Sequence, residues 1–141
     1  MFDKTYEDRL RAWHDFRQTL ETAGDPLQTV IDQYQQPPRV SMHTDPWTPS
    51  MWPNPWELIE ENQYCEFCNL LGICYSLQLT DKFTPSQFEI HIAVDNENSN
   101  THYLLYVDDF IIGYEDDTYI HKSALPSSIR SRQTYPMQPL N

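Results

Sequence analysis

Cys65-Glu66-Phe67-Cys68 is the segment whose residue types and spacing come closest to a chemical signature. Two thiols at this spacing, set where a helix begins, feel the positive end of the helix dipole, which favours thiolate over thiol. Such a pair can cycle between dithiol and disulfide, or supply half of a zinc site that His91 or His102 would complete. A thioredoxin-like motif wants a strand directly before the pair, whereas a Pro/Trp loop and a short helix precede it here. A structural zinc site usually has a second paired knuckle, and the sequence contains none. Neither a cofactor nor a metal is therefore expected. Cys74 reads as a core residue of the same helix, because buried free cysteine behaves as a small hydrophobe. His14 falls on the surface of the first helix, His43 and His121 in loop and tail, and His91 on the polar face of a strand. The acids Asp108, Asp109, Glu115, Asp116 and Asp117 offer oxygens to a hard cation. They lack calcium-loop spacing and read as a solvated rim.

The elements that would position these groups are marked by local signals. Asn54-Pro55-Trp56-Glu57 opens a helix: asparagine caps, proline fits the first position, and Glu57 reaches back to close a capping box. That helix runs to about Glu61. A second runs from near Cys65 to Leu79, apolar on most of its circumference and hence a central, buried helix. Ahead of them, Tyr6, Leu10, Trp13, Phe16 and Leu20 recur at helical spacing, with Asp3 as cap and Gly24 as a left-handed stop. Asp25-Pro26 restarts a helix whose stripe is Leu27, Val30, Ile31 and Tyr34, and Pro37-Pro38 ends it. Residues 37–55 form a proline-stiffened loop. Its tryptophans either plug the loop onto the core or make an aromatic rim for a ligand or a proline-rich peptide. The plug is the reading adopted.

Beyond Pro85 the apolar period changes to two. Phe88–Val94, His102–Val107 and Phe110–Tyr114 read as strands joined by polar turns, with Thr118–Ile120 as a short edge. Helices first and an antiparallel meander afterwards make an α+β layout, with the central helix packed on three or four strands. Residues 1–120 are expected to be one α+β domain, comprising a helical hairpin over 1–36, the Pro/Trp loop over 37–55 and a core over 56–120. Residues 121–141 carry three prolines and read as an extended basic tail rather than a packed element.

Composition removes several classes. The chain has 141 residues, 39% of them hydrophobic, enough for a real core and against wholesale disorder. A formal charge of −12 makes it a poor match for a nucleic-acid backbone. No apolar run approaches a membrane span, and Met1-Phe2-Asp3-Lys4 lacks the layout of a secretion signal. Charge is also uneven. All twenty-one acids lie in residues 1–120, whereas residues 121–141 carry Lys122, Arg130 and Arg132 and no acid. A basic arm on an acidic body is drawn to its own surface or to a neighbouring copy.

The order Pro55-Trp56-Glu57-Leu58, then Cys65-Glu66, then the Phe88–Val94 strand, then His102 and the Asp108-Asp109 reversal resembles transglutaminase-like thiol enzymes. The likeness is in particular to the bacterial transglutaminase-like cysteine peptidases, over residues 45–116. The resemblance implies that Cys65 is a nucleophile, that His102 exchanges protons with it, and that a carboxylate orients the imidazole. The sequence departs from the family pattern. Gln63-Tyr64 stands where Gly-Asp precedes the cysteine, Phe67 replaces an acid, and the orienting aspartate falls on Gly113 or Tyr114. Asp116 is the nearest acid after that strand, with Glu115 and Asp109 as rivals. The whole chain also resembles small proteins of marine tailed phages, in Trp52-Pro53-Asn54-Pro55-Trp56-Glu57-Leu58 and Tyr103-Leu104-Leu105-Tyr106-Val107-Asp108-Asp109.

These resemblances imply a phage-encoded, non-catalytic interaction or virion-assembly protein on a degenerate transglutaminase-like fold. Its partners would be other structural proteins or a second copy bound through residues 121–141, in the host cytoplasm or the virion, not secreted. The alternative is a cytoplasmic thiol hydrolase or cysteine peptidase using Cys65, His102 and Asp116.

Overall fold

The local helix signals act where they stand. In the computed structural model, which describes residues 1–140, α1 spans Tyr6–Thr22 and α2 spans Pro26–Gln33. The Asp25 carboxylate accepts the Gln28 N–H at 3.2 Å and caps α2. Thr5 rather than Asp3 stands at the N-cap position of α1, without a side-chain cap bond, and the helix ends on Ala23 in an extended conformation. Gly24 is not left-handed. A break in helical ψ one residue earlier, followed by Pro26, is enough to stop the helix. α3 spans Pro55–Glu61 with its capping box closed: Glu57 N–H donates to Asn54 Oδ1 at 2.9 Å, and Asn54 N–H donates to Glu57 Oε1 at 3.0 Å. Asn62 takes the left-handed conformation, φ 53°, and ends α3.

α4 spans Glu66–Gln78 and is buried on nearly all sides. A polar knot joins it to α1 and α2. Ser76 Oγ accepts from Trp13 Nε1–H at 2.9 Å and donates to the Gly72 carbonyl at 2.7 Å. The Tyr34 hydroxyl lies 3.1 Å from the same oxygen, and with the serine proton already committed it donates there. Every member of the knot is buried, so each polar atom needs the partner it has.

α1 to α4 belong to a compact unit covering Met1–Thr84, and a second compact unit begins at Pro85. The second unit is one antiparallel sheet of β1 (Phe88–Asp95), β2 (Thr101–Val107), β3 (Phe110–Ile112), β4 (Tyr119–His121) and β5 (Ile129–Pro136), in the order β4-β3-β2-β1-β5. Four helices and five strands among the described residues make the α+β class expected from the sequence. β1 to β4 are the anticipated meander. Both faces of the sheet carry buried apolar residues. Ile90, Leu105 and Ile112 lie opposite one another on one face. Ala93, Leu104, Ile111 and Ile129 form a cluster on the other, with Tyr106, Tyr114, Ile120 and Leu125 against it.

The expected extended tail is a correction. Within residues 121–141, Ile129–Pro136 is β5, hydrogen-bonded along β1, with Arg132 skipped in the register at a bulge. Ile129 is the strand's anchor in the apolar cluster, while Arg130 to Thr134 are exposed. At the start of the segment, Lys122 Nζ pairs with Asp109 at 2.9 Å. β3 also stops sooner than expected. Gly113 has φ 110°, which turns the chain out of the strand before Tyr114. Among the described residues no helix is long and apolar enough to cross a membrane.

Candidate functional site

A single non-local pairing brings the site together. Arg39 and Tyr64 form a parallel bridge, and Val40 N–H donates to the Tyr64 carbonyl at 3.2 Å. The chain after Arg39 therefore starts out beside the segment that leads into α4. His43 Nε2 then sits 3.3 Å from the Gln63 carbonyl, and its Nδ1 3.3 Å from Thr44 Oγ1. The Cys68 sulfur lies 3.3 Å from that same Thr44 oxygen. Cys65 is the N-cap of α4, and its sulfur accepts the Cys68 N–H at 3.4 Å. The donor atoms of His43, Cys65 and Cys68 all lie within 4.8 Å of one another. Both cysteines are fully buried, and His43 is exposed.

The electrostatics divide the two thiols. Hydrogen bonding from the Cys68 side chain holds Cys65 well below the ordinary thiol range against the cost of burial, helped by the backbone N–H groups of Cys68 and His43 and by the His43 charge. Cys68 is pushed far the other way by that same bond and by burial. The two thiols are thus pushed in opposite directions, Cys65 down and Cys68 up. Arg39 adds positive charge nearby: its Nη2 donates to the Tyr34 carbonyl at 2.9 Å, and its guanidinium interacts with both Glu66 and Cys65. Cys74 stands apart, its thiol donating to Gln78 Oε1 at 3.5 Å.

The residues singled out by the sequence are distributed as follows. Cys65 stands at the expected helix start in the first unit. His102 and Asp116 belong to the second. His102 lies on β2 opposite Ala93, and its ring centroid is 5.8 Å from that of Tyr114. Tyr114 is one of the two positions where the family pattern places its aspartate. Asp116 is exposed in the turn between β3 and β4. His91 stacks on Tyr106 at 3.9 Å and is held by Glu89 and Ser131. The imidazole beside the thiol pair is His43, which the sequence places in a loop with no role of its own. The Arg39–Tyr64 bridge that delivers it has no periodic signature.

The loop itself corrects another expectation. Trp52 does plug inward: its Nε1–H donates to the Asp45 carbonyl at 3.1 Å, and its ring lies 5.0 Å from Phe67. Trp47 and Trp56 stay more open, 52% and 51% exposed, although the Trp56 ring meets buried Trp13 edge-on with centroids 5.4 Å apart; Met51 is 70% exposed. The backbone beneath them is fixed. The Asp45 carboxylate accepts from Trp47 N–H at 2.9 Å and Thr48 Oγ1–H at 2.7 Å, which lowers its pKa. The Tyr75 hydroxyl donates to the Pro53 carbonyl at 2.7 Å.

Comparison of the chain with protein-family models, with curated proteins and with solved structures returns no match.

Proposed function

We propose that the protein acts by binding another protein through the loop of residues 40–56, and that its partner presents a cationic, proline-bearing extended segment. One observation carries this reading. Of the eight exposed large hydrophobic side chains among the described residues, five come from this stretch: Val40, Met42, Trp47, Met51 and Trp56. Exposed apolar residues scattered singly need no explanation, but a concentration rich in Trp and Met is the composition of interface cores. The tethers at Asp45, Trp52 and Pro53 hold the loop in one shape, so docking costs little further ordering.

Charge supports the choice of partner. Residues 40–66 contain Asp45, Glu57, Glu60, Glu61 and Glu66 and no Lys or Arg. Guanidinium groups pair with such carboxylates and sit over indole faces, and proline rings dock between exposed aromatics. A role in an assembly, as the sequence resemblance to phage proteins implies, agrees with this surface. The thiol-hydrolase alternative is disfavoured by the full burial of Cys65 and by the tyrosine, not a carboxylate, beside the His102 ring.

The test is fluorescence anisotropy with a labelled peptide of repeated Arg-Pro-Leu-Pro. Saturable binding that falls at least about tenfold in the Trp47→Ala/Trp56→Ala double variant is the expected result, the size of a typical hot-spot loss. Equal binding by the double variant, or none by the native chain, overturns the reading.

A further inference from the structure

We propose that His43, Cys65 and Cys68 form a binding site for a divalent cation of the zinc class, and that the cation clamps the 40–56 loop onto the start of α4. The argument begins with donor chemistry. Two thiolates and one imidazole make a set that suits zinc and disfavours the hard cations, which want oxygen. As the cation binds, Cys68 gives up its proton to solvent, and the two thiolates then neutralise the dication, so its burial beside two fully buried sulfurs leaves no net charge uncompensated.

Geometry comes next. The three donor atoms already lie within 4.8 Å of one another. Bonds of about 2.3 Å to sulfur and about 2.0 Å to nitrogen place tetrahedral donors roughly 3.5–3.8 Å apart. The cluster therefore needs to contract by no more than about 1.3 Å. Cys65 and Cys68 are fixed to one another by the turn that begins α4, with the Cys68 N–H already directed at the Cys65 sulfur. His43 arrives from a different segment, held at the base by the Arg39–Tyr64 bridge. Its two ring nitrogens make long contacts, 3.3 Å each, to Gln63 and Thr44. One nitrogen can turn to a cation while the other keeps its anchor, the arrangement that orients metal-bound histidines generally. Three protein donors leave a fourth position on the exposed His43 side for water.

The clamp has a mechanical result. His43 is flanked by Met42 and lies four residues before Trp47, so a bond at His43 fixes the near end of the exposed apolar stretch. Binding of the ion needs no partner, and its success or failure is read separately from the partner-binding reading.

The experiment uses the full chain, reduced and stripped with a chelator, then titrated with Co2+ and back-titrated with Zn2+. We expect one Co2+ per chain, a thiolate-to-cobalt charge-transfer band with the visible bands of a tetrahedral ion, and loss of both on adding Zn2+. His43→Ala should weaken binding at least tenfold, and Cys65→Ser and Cys68→Ser more, while Cys74→Ala binds as the native chain does. Because the cysteine variants touch the core, a second measurement stays with the native sequence. Zn2+ should protect Cys65 and Cys68, but not Cys74, from alkylation in mild urea, as read by peptide mass spectrometry. No charge-transfer band at excess Co2+, unchanged affinity in His43→Ala, or protection that fails to separate Cys65 and Cys68 from Cys74 would each overturn the proposal.

Discussion

Tyr34 occupies the space that a side chain at Gly72 would need: a Cβ on Gly72 would fall 2.5 Å from Tyr34 Cε1. Alanine is the better helix former by about 1 kcal/mol, so on propensity alone Gly72→Ala should stabilise α4. The fully buried tyrosine ring reverses the sign, because overpacking a filled core costs about 1–3 kcal/mol. Urea melts should show Gly72→Ala less stable than the native chain. Gly72→Ala combined with Tyr34→Leu should cost less than the two single changes added together. Additive losses would mean that the ring is not what glycine accommodates.

Alkaline pH should destabilise the fold through Tyr34. Burial holds its hydroxyl neutral and raises its pKa from 10 to about 12, against a lowering by Ser76, Arg17 and Trp13. The unfolded tyrosine ionises near pH 10 and the folded one does not, so this contribution is complete below pH 10. It is lost progressively as pH rises toward about 12. The loss is on the order of 2–3 kcal/mol from this residue. Tyr64 and Tyr75, also buried and also raised, push the same way. Chemical denaturation at several pH values from 9 to 11.5 should give a falling stability whose slope is shallower in Tyr34→Phe. An unchanged slope would remove Tyr34 from the account.

Removing residues 129–141 should weaken the sheet. β5 pairs along the length of β1, and Ile129 is buried in the Ala93, Leu104 and Ile111 cluster. Loss of that isoleucine alone carries a cost of at least about 2 kcal/mol. A thermal melt of the truncated chain should shift down, and amide exchange along β1 should quicken. A melt identical to that of the full chain would restore the picture of a detachable arm.

The hydrolase alternative predicts rapid iodoacetamide labelling of Cys65 at neutral pH, abolished by His102→Ala. The burial of all three cysteines predicts slow labelling throughout and no effect of that substitution. Peptide mass spectrometry over a time course separates the two. Fast, His102-dependent modification of Cys65 would return the thiol chemistry to first place.

Much of the scaffold was legible because its instructions are local. Asp25-Pro26 and Asn54-Pro55-Trp56-Glu57 each encode a helix start within four residues, and both caps form. Alternation in Phe88–Val94 and its neighbours encodes a meander for the same reason. β5 was not legible: between Ile129 and Tyr135 every residue is polar, so backbone pairing with β1, not side-chain period, makes it a strand. Cys65 was found because thiol spacing at a helix start is a sequence property. His43 was missed because its place beside Cys65 depends on a pairing between residues far apart in the chain. The tryptophans divide on the same line: nothing in the composition of the loop distinguishes Trp52, whose ring turns in against Phe67, from Trp47 and Trp56, which stay about half exposed.

The Arg39–Tyr64 bridge has one more implication. It shuts the excursion from 39 to 64 at its stem, so the two ends are held side by side. Lengthening a closed excursion costs only about 0.6 kcal/mol per doubling. The stretch around Trp47 and Met51 can thus drift in composition and size while α1, α2 and α4 hold still. A lineage carrying this architecture would be free to remodel that exposed stretch without redesigning the helices that bear it.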